Sequence, residues 1–387
     1  MKIDLCSSRP NLCSGCGACA AICPQKAISM TPSPEGFLYP EINKKKCIHC
    51  GLCIKVCDFK QFIPTGEKPQ CYAVRHKDME EVNTSRSGGF FMALCKYTIE
   101  HSGIVFGCEI DDELRIIHKY RETYDECKKF KGSKYVQSDL QNTFVQCEEF
   151  LNKGKLVLFS GTGCQIHGLL RYLNCRNVST DRLITVDIVC HGTPSPGVWS
   201  NYIQALEKRE KRRLQSVDFR EKIVHGWAAH IEKYVFDDGT VKFARNWTTA
   251  FYRHILLREC CHSCKYTTTG RKSDFTIADY WGLEKNAPEF NDNKGCSLVL
   301  VHSEKGRNLF KEVGGYINFV ETELSQSMQP QLGRPIWKGW DRKLFWSIYR
   351  KNNQRAVAMW IFPSRATKAI WKIETFIKQQ IKKLLRR

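Results

Sequence analysis

Eight cysteines between residues 13 and 57 recur at a spacing that suits iron–sulfur chemistry. Two runs, which begin at Cys13 and Cys47, share the pattern C-x2-C-x2-C-x3-C. The first three cysteines of such a run hold one face of a cubane cluster, and the last is carried to a neighbouring cluster. The spacing therefore predicts two 4Fe-4S clusters with exchanged ligands. We assign Cys13, Cys16, Cys19 and Cys57 to site one, and Cys47, Cys50, Cys53 and Cys23 to site two.

Zinc and disulfides are the alternatives for these runs. Zinc sites use four ligands per ion in a different spacing, and disulfides require an oxidising compartment. Residues 11–60 resemble the bacterial two-cluster ferredoxins, except that Asp58 stands where a proline usually follows the last cysteine. The resemblance implies electron transfer, one electron per cluster, and we expect a two-cluster ferredoxin domain at residues 1–62.

Four later cysteines are candidates for a third cluster. Cys164 follows the apolar run Leu156–Ser160, and Cys190 follows Leu183–Val189. If these runs are parallel strands, their carboxyl ends meet at one edge of a sheet, where ligands usually bind. A C-x2-C pair farther along the chain supplies two more thiols. We predict a third 4Fe-4S cluster, at site three, held by Cys164, Cys190, Cys261 and Cys264.

Two other interpretations of these cysteines stay open at this point. In the first, Cys164 and Cys190 are small buried apolar residues, and only the C-x2-C pair has a role. In the second, Cys164 is a nucleophile activated by His191 or His167, as in thiol-dependent acyl transfer. The second interpretation leaves the ferredoxin domain without a purpose.

Two glycine-bearing turns precede helical patterns. Backbone amides at such helix starts form a positive cradle for phosphate, although a plain helix start has the same sequence. Neither turn matches G-x-G-x-x-G with a downstream acid, so a standard Rossmann dinucleotide site is not supported. Beside an iron–sulfur module they predict a phosphate-bearing redox cofactor. The candidate contacts are Ser87, Gly88, Gly89, Gly161 and Thr162.

Short apolar runs alternate with helical patterns after a linker at residues 61–68. The alternation predicts a larger mixed α/β domain at residues 71–315, with an N part at about 71–155 and a C part at about 156–315. Asp238-Gly239 predicts a hairpin between Ile231–Phe236 and Val241–Phe243. With the ferredoxin domain, the fold class is α+β. The runs that we assign to strands are Gly103–Gly107, Leu156–Ser160, Leu183–Val189, Asp274–Ala278 and Ser297–His302.

The order of these motifs resembles the coenzyme F420 hydrogenase/dehydrogenase beta-subunit family. The matching stretches lie in order over roughly residues 71 to 315, and Gly163 and Ala278 replace residues common in the family. The stretches are Ser87-Gly88-Gly89, Gly161 to Gln165, Asp187 to Trp199, Phe219-Arg220, Gly226-Trp227, Cys261 to Lys265, Ser273 to Gly282 and Lys294 to Leu300.

The resemblance implies an iron–sulfur flavoprotein. Its FAD would exchange a hydride on one side and single electrons with a cluster on the other, with F420 or another carrier as the substrate. The glycine-turn residues would then contact the flavin. Asp274 and Asp279 would bind ribose or merely cap a strand. The catalytic acid or base stays unknown, with His191 as the best candidate.

Composition and charge restrict the number of domains, the cellular location and the partners that we expect. The chain has 387 residues, 42% of them hydrophobic, and a net charge of +20, which fits two or three globular domains. The longest apolar run, at residues 356–362, has seven residues, whereas a membrane span needs about 20. We therefore expect a cytoplasmic protein. No nucleic-acid recognition module is discernible, so we expect no nucleic-acid partner.

The C-terminal part is basic and has its own features. Residues 316–363 form an aromatic and basic extension. In residues 364–387, apolar residues recur at helical spacing from Ile370 to Leu384, and eight cations stand against the single acid Glu374. This pattern predicts an amphipathic cationic helix. It would lie on an anionic membrane surface at the cytoplasmic face, dock on an acidic partner or pack on the protein's own body.

These observations favour an oxidoreductase that couples one-electron transfer through 4Fe-4S clusters to hydride chemistry at FAD. Its partner would be a redox protein or a small-molecule electron carrier. The alternative is an electron-transfer subunit that delivers electrons to a partner enzyme and has no substrate of its own. A scaffold with inert clusters is a third class, and it predicts no reversible reduction.

Overall fold

The computed structural model describes residues 11–57 and 62–363. The predicted amphipathic helix at residues 364–387 and Asp58 lie outside these residues. The described chain combines a small N-terminal unit with a larger mixed α/β body, as the sequence predicts. No helix in the described ranges is both long enough and apolar enough to cross a membrane.

The N-terminal unit contains one antiparallel strand pair and two short helices. The pair is β1 (Ile28–Pro32) and β2 (Leu38–Ile42), and the helices are α1 (Ala18–Ala21) and α2 (Leu52–Val56). Each helix begins after a glycine in the left-handed region, Gly17 with φ 74° and Gly51 with φ 77°. These glycines occupy the same place in the two cysteine runs. The left-handed turn therefore bends both runs in the same way.

The remaining elements belong to the larger body. Its strands are β3 (Gln70–His76), β4 (Ile104–Ile110), β5 (Ile116–Arg121), β6 (Val157–Thr162), β7 (Leu183–Ile188), β8 (Leu214–Asp218), β9 (Glu232–Phe236), β10 (Val241–Ala244), β11 (Phe275–Asp279), β12 (Ser297–Val301) and β13 (Ile317–Thr322). Its helices are α3 (Met79–Thr84), α4 (Phe90–Glu100), α5 (Tyr124–Cys127), α6 (Thr143–Asn152), α7 (Gly163–Arg176), α8 (Pro196–Glu210), α9 (Asn246–Tyr252), α10 (Leu283–Asn286), α11 (Glu304–Glu312), α12 (Arg342–Lys351) and α13 (Asn353–Trp360).

An eight-stranded mixed sheet with the order β13-β3-β12-β11-β7-β6-β4-β5 forms the centre of this body. Strands β4, β6, β7 and β11 are parallel to their neighbours in this group, and the outer pairings are antiparallel. All five runs predicted as strands are strands here, with bounds shifted by up to three residues. The predicted hairpin is also present as β9 and β10 around Gly239. It extends a separate three-stranded sheet with β8.

Helices cover both faces of the large sheet. On one face, α4 and α11 pack on apolar side chains such as Leu158, Ile184 and Val186. On the other face, α6 and α7 pack on Phe159 and Val157 together with side chains of the N-terminal unit. The parallel strands are apolar runs because both of their faces are buried.

Residues 316–363 are integrated into the body. The predicted domain boundary at residue 315 lies just before β13, which pairs with β3 at the edge of the large sheet. Helices α12 and α13 then pack on α8 in an aromatic core that contains Trp199, Trp346 and Trp360. The aromatic residues of the predicted extension therefore contribute to the main fold, while Trp337 and Trp340 remain exposed.

Candidate functional site

The eight N-terminal cysteines surround two separate small cavities. Cys13, Cys16, Cys19 and Cys57 line the first, and Cys23, Cys47, Cys50 and Cys53 line the second. Each cavity therefore receives three thiols from one run and the last thiol from the other run. This is the exchange that the spacing predicts. We keep the names site one and site two for these cavities.

Site three is a cavity at the carboxyl ends of two parallel strands. Strands β6 and β7 pair in register, with Gly161 opposite Asp187. Cys164 and Cys190 each lie two residues beyond the end of their strand, and the short helical turn Glu259–Ser263 brings the C-x2-C pair to the same place. The four predicted cysteines line this cavity together with Cys260, which the sequence analysis did not select.

The thiols surround cavities in all three sites. Within residues 11–57 and 62–363, no three His, Cys, Asp or Glu side chains converge in the manner that suits a single metal ion. Each cavity is instead lined by at least four cysteines, and four cysteine thiolates are the usual ligand set of a 4Fe-4S cluster.

Burial keeps most of the site-three thiols protonated. It raises the pKa of Cys190 to about 12 and that of Cys264 to about 11, and it holds the pKa of Cys164 well above the ordinary thiol value. Cys261 differs, because the thiol of Cys260 donates a hydrogen bond to its sulfur and lowers its pKa. A metal that binds to thiolates here would have to displace these protons. A protonated Cys164 is also a poor nucleophile, which disfavours the thiol-transfer interpretation.

Shared walls join the sites into a row. Ser14, Cys164 and Tyr266 line both site one and site three. Cys19 of site one packs beside Cys23 and Cys53 of site two. The order along the row is therefore site two, site one, site three.

The N-terminal unit is docked closely on helix α7. Gly168 of this helix leaves so little room that an added Cβ would lie 2.9 Å from the sulfur of Cys16. The Arg171 Nη2 atom donates to the Lys55 carbonyl at 2.7 Å, which ties α7 to α2. Phe62, from the predicted linker, is buried against Tyr266 with ring centroids 4.8 Å apart. The ferredoxin unit and the body therefore form one continuous packed structure around site one.

A cavity of about 580 Å³ lies at the other end of the row. We call it the large cavity, and its size falls within the range of about 300–1,000 Å³ that is common for small-molecule sites. It shares four wall residues with site three. These are Thr162, Cys190, Gly192 and Thr193.

Four of the five predicted cofactor contacts line the large cavity, namely Ser87, Gly89, Gly161 and Thr162. Gly88 lies behind the wall, where its amide donates to Ser297 Oγ at 3.0 Å and an added Cβ would lie 2.1 Å from the Val74 carbonyl oxygen. The amide of Thr162 already donates to Gln165 Oε1 at 2.9 Å within the capping box of α7. One backbone donor of the turn at the start of α7 is therefore already hydrogen-bonded within the chain.

Several buried polar atoms in the cavity wall lack a hydrogen-bond partner, and three of them are guanidinium nitrogens. The Nε and Nη1 atoms of Arg86 and the Nε atom of Arg220 are buried without a hydrogen-bond partner. Both guanidinium groups face the single carboxylate of Asp279, at 3.8 Å and 2.9 Å. Buried charged donors require a partner, so the wall has an excess of positive charge that suits an anionic group such as phosphate.

Aromatic and imidazole rings connect this basic wall to site three. The ring of His191 lies 5.0 Å from that of Tyr252, which lies 5.2 Å from the ring of His230. His230 Nε2 is 3.4 Å from an Arg220 nitrogen. Burial and the neighbouring cations lower the pKa of His230 to about 4, and burial lowers that of His191 to about 4. Both rings are neutral at pH 7.

The remaining predicted residues have different surroundings. Asp274 is buried, and its Oδ2 accepts from the backbone N and the Oγ1 of Thr185 at 2.8 and 2.9 Å, so it supports β7. Asp279 lines the large cavity and pairs with Arg220. His191 Nε2 faces His254 Nε2 at 2.9 Å.

Sequence reasoning did not select Arg86, Arg220 or Arg258 as site residues. Arg86 directly precedes the Ser87-Gly88-Gly89 turn, and Arg220 lies in one of the family-like stretches, so both had a local signal. Arg258 had none. Its guanidinium reaches the Cys13 carbonyl oxygen, 245 residues away in sequence, at 2.8 Å.

Comparisons with known proteins agree with this architecture. Residues 154–324 match the family model for the C terminus of the coenzyme F420 hydrogenase/dehydrogenase beta subunit, and residues 12–60 match the model of a 4Fe-4S dicluster domain. An uncharacterized protein of Methanocaldococcus jannaschii is 24% identical over 358 residues, which cover 80% of this chain and 89% of that protein.

Two further matches are more limited. An iron–sulfur subunit of the CoB–CoM heterodisulfide reductase of Methanocaldococcus jannaschii is 40% identical over 60 residues, 12% of this chain and 9% of that protein. A solved structure of the F420-reducing nickel–iron hydrogenase complex of Methanosarcina barkeri covers 76% of this chain and 94% of its own, with 19% identity and a TM-score of 0.47. The two family models therefore show that residues 12–60 are similar to a 4Fe-4S dicluster domain and that residues 154–324 are similar to the C-terminal part of the F420 hydrogenase/dehydrogenase beta subunit.

Proposed function

We propose that this chain, which joins a 4Fe-4S dicluster domain to the C-terminal domain of the F420 hydrogenase/dehydrogenase beta subunit, is an iron–sulfur flavoprotein oxidoreductase. It would hold three 4Fe-4S clusters and one FAD, and its substrate would be F420 or another two-electron carrier. The observation that carries the proposal is the unbroken row of three cysteine-lined cavities that leads to a large basic cavity.

The cysteines divide among the clusters by the cavity that they line. Sites one and two are the ferredoxin pair of a domain at residues 1–62. Site three takes Cys164, Cys190, Cys261 and Cys264, with Cys260 as an additional thiol that donates a hydrogen bond to Cys261. Clusters held by these cysteines would supply one-electron transfer, and a bound FAD would supply the conversion to hydride chemistry.

The lining of the large cavity supports the FAD part of the proposal. Its volume suits a small-molecule cofactor, and the free guanidinium donors of Arg86 and Arg220 would bind the anionic phosphates. Ser87, Gly89, Gly161 and Thr162 would supply polar wall contacts, and Gly88 would hold the turn in place. Cys190 belongs to the walls of both this cavity and site three, so a flavin there would adjoin the third cluster.

A partner would dock at site two. Cys50 is exposed, and the neighbouring Ile48 has 59% of its surface exposed. Lys44, Lys45 and Lys46 are exposed immediately before Cys47. A cluster at this position would lie at the protein surface, where exchange with a redox protein is direct. All 20 cysteines in the described residues are free of disulfides, which supports a reducing, cytoplasmic location.

The first test is anaerobic purification with quantification of iron, acid-labile sulfide and flavin on one sample. The proposal requires about twelve irons and one FAD per chain. The double variant Cys261→Ser/Cys264→Ser should retain about eight irons. The matched control Cys175→Ser changes a cysteine outside the three cavities and should leave all counts unchanged.

The exposed thiol at site two also suits an electron-transfer subunit that has no substrate of its own. The same measurement separates the two functions. About eight irons and no flavin in the unaltered chain would contradict the flavoprotein and favour the carrier. If the isolated, flavin-loaded chain turned over a small two-electron substrate, the chain would not be an electron-transfer subunit without a substrate of its own.

A further inference from the structure

Arg258 is a fully buried cation that lies against Cys13, a cysteine of site one. Its relative exposure is 0%, and it lies in the chain two residues before Cys260. The guanidinium donates to the carbonyl oxygens of Cys13 and Leu38 at 2.8 and 3.0 Å and to Gln137 Oε1 at 3.0 Å. It also lies over the ring of Tyr39, 4.0 Å from the centroid. All of these partners are neutral.

Other buried arginines of the described chain differ in this respect, because each has a carboxylate partner. The pairs are Arg75 with Asp292, Arg220 with Asp279, Arg271 with Asp187, and Arg342 with Glu259. Removing a guanidinium from water costs several kcal/mol unless a negative charge compensates it. In the described residues, no carboxylate lies within ion-pair distance of Arg258.

The group that can compensate Arg258 is the cluster at site one. The Nη2 atom lies 3.6 Å from the sulfur of Cys13. Four thiolates outweigh the positive charge of a 4Fe-4S core, so the assembled site is an anion, and each added electron makes it more negative. Hydrogen bonds and nearby charge are known to set cluster potentials.

Two neighbours fix the guanidinium in this place. Gln137 accepts from Arg258 and donates from Nε2 to the Ser14 carbonyl at 2.9 Å. Gly15 has φ 70°, and an added Cβ there would lie 2.8 Å from Arg258 Nη1. The cysteine loop of site one is therefore shaped around the guanidinium.

We infer that Arg258 is the internal countercharge of site one, and that it raises the reduction potential of the cluster there relative to the cluster at site two. The inference rests on the proposed function only for the presence of the ferredoxin clusters, and it needs neither FAD nor site three. Arg258 carries no electron itself, and it acts only by holding a positive charge beside the cluster. The higher potential would give electron transfer a direction. An electron that arrives at the exposed site two would be more stable at site one.

The test is a potentiometric titration of the full-length protein, followed by electron paramagnetic resonance of the reduced clusters. The signal of site one is assigned by its loss in Cys16→Ser. In Arg258→Gln, the potential of site one should fall by at least 59 mV relative to site two, which is a tenfold change in electron distribution. Arg258→Lys keeps the charge and should retain most of the difference.

Gln137→Glu provides a second variant that leaves Arg258 in place. The new carboxylate would pair with the guanidinium at about the present 3.0 Å and neutralise it, so the potential of site one should also fall. Arg75→Gln is the matched control, because it removes a buried arginine that pairs with Asp292. This control should leave both potentials unchanged.

The outcomes decide the inference in every case. If Arg258→Gln loses iron at site one, the potential of site one in Gln137→Glu decides whether the inference holds. Unchanged potentials in a variant with full ferredoxin iron would overturn it, and so would a fall in Arg258→Lys as large as that in Arg258→Gln. A missing flavin or third cluster in the unaltered chain would overturn the proposed function and leave this inference intact.

Discussion

Site two and site three differ in how the fold assembles their cysteines. Site two takes all four from residues 23–53, within a unit of two short helices and one strand pair. Site three takes its cysteines from two strand ends and a helical turn that are up to 100 residues apart. Cys50 at site two is exposed, whereas burial raises the pKa of Cys190 at site three to about 12. Site two therefore presents one of its thiols at the surface, whereas the four predicted cysteines of site three are all partly buried.

Under the proposed function, the two ends of the row would have different tasks. The outer end has exposed apolar and basic side chains, as a surface for brief contact with a partner does. The inner end adjoins a large, basic cavity with unpaired donors, as a cofactor site does. Variants that affect one end and leave the other unchanged test this division.

The largest effect is expected from removing one cysteine at either end. Cys264→Ser should abolish site three and slow flavin reduction by a one-electron donor by more than about 100-fold, because the sites no longer form a continuous row. Cys50→Ser should block exchange with a protein partner but leave reduction of the flavin by a two-electron donor intact. Stopped-flow absorbance of the flavin measures both rates. If Cys50→Ser lost both reactions to the same extent, the two ends of the row would not have the different tasks that we propose.

The next largest effect tests the junction between the two regions. Gly168→Ala places a methyl group of α7 2.9 Å from the sulfur of Cys16, which belongs to the ferredoxin unit. Alanine improves helix propensity by about 1 kcal/mol, but crowding in a packed interior typically costs about 1–3 kcal/mol. We expect a net loss of about 1 kcal/mol in the free energy of unfolding and partial loss of iron from site one. Urea unfolding and iron analysis measure these effects.

Gly314→Ala is the control for the junction variant, since an added Cβ at Gly314 meets no atom within 4 Å. It should match the unaltered protein in both measurements. Full iron content and unchanged stability in Gly168→Ala would indicate that the ferredoxin unit docks less tightly than the structure implies.

These comparisons show which parts the sequence could predict. The grouping of the cysteines around sites one and two follows from their spacing, because consecutive turns of a short chain bring them together. The five predicted strands follow from apolar runs, and Cys164 and Cys190 were identifiable because parallel strands end at a common edge. Strand β13 was missed, since only its first residue, Ile317, is buried, and the exposed Asn318 and Phe319 resemble a surface segment.

The rest depended on contacts that no local pattern encodes. Arg258 meets Cys13 across 245 residues, and nothing in the neighbourhood of either residue specifies the other. The glycine turns were correctly identified as helix starts, but Gly88 supports close packing on β3 and β12 while arginine side chains present the unpaired donors. Burial and the pairing of charges are properties of the whole fold, so composition cannot reveal which cation lacks a carboxylate.

A smaller effect is expected on the pH dependence of the unfolding free energy, which a histidine beside the large cavity should alter and a histidine near site two should not. His118 is 1% exposed beside the large cavity, and burial lowers its pKa to about 4 from an ordinary 6.5. The unfolded chain binds the proton more tightly, so stability is complete above pH 6.5 and falls as the pH drops towards 4. We expect His118 to contribute about 1 kcal/mol of the loss in unfolding free energy between pH 7.5 and 5.5.

The measurement is urea unfolding of His118→Gln and of the unaltered protein at both pH values. The variant should lose less stability on acidification, because its side chain cannot be protonated. His49→Gln changes an exposed histidine in the outer region and should show the full loss. Identical pH dependence in all three proteins would assign the acid sensitivity to other groups.

The smallest effect concerns the outer surface. Lys44, Lys45 and Lys46 are exposed beside site two, and positive charge steers an acidic partner during diffusional encounter. The triple charge reversal to glutamate should slow reduction by an acidic ferredoxin about threefold or more at low salt, and added salt should remove the difference. Reduction by dithionite provides a reference that requires no docking. The reversal of Lys208, Lys211 and Arg212 near the end of α8 changes the net charge equally and is the control. A similar slowing in that control would mean that overall charge, and not the face around Cys50, attracts the partner.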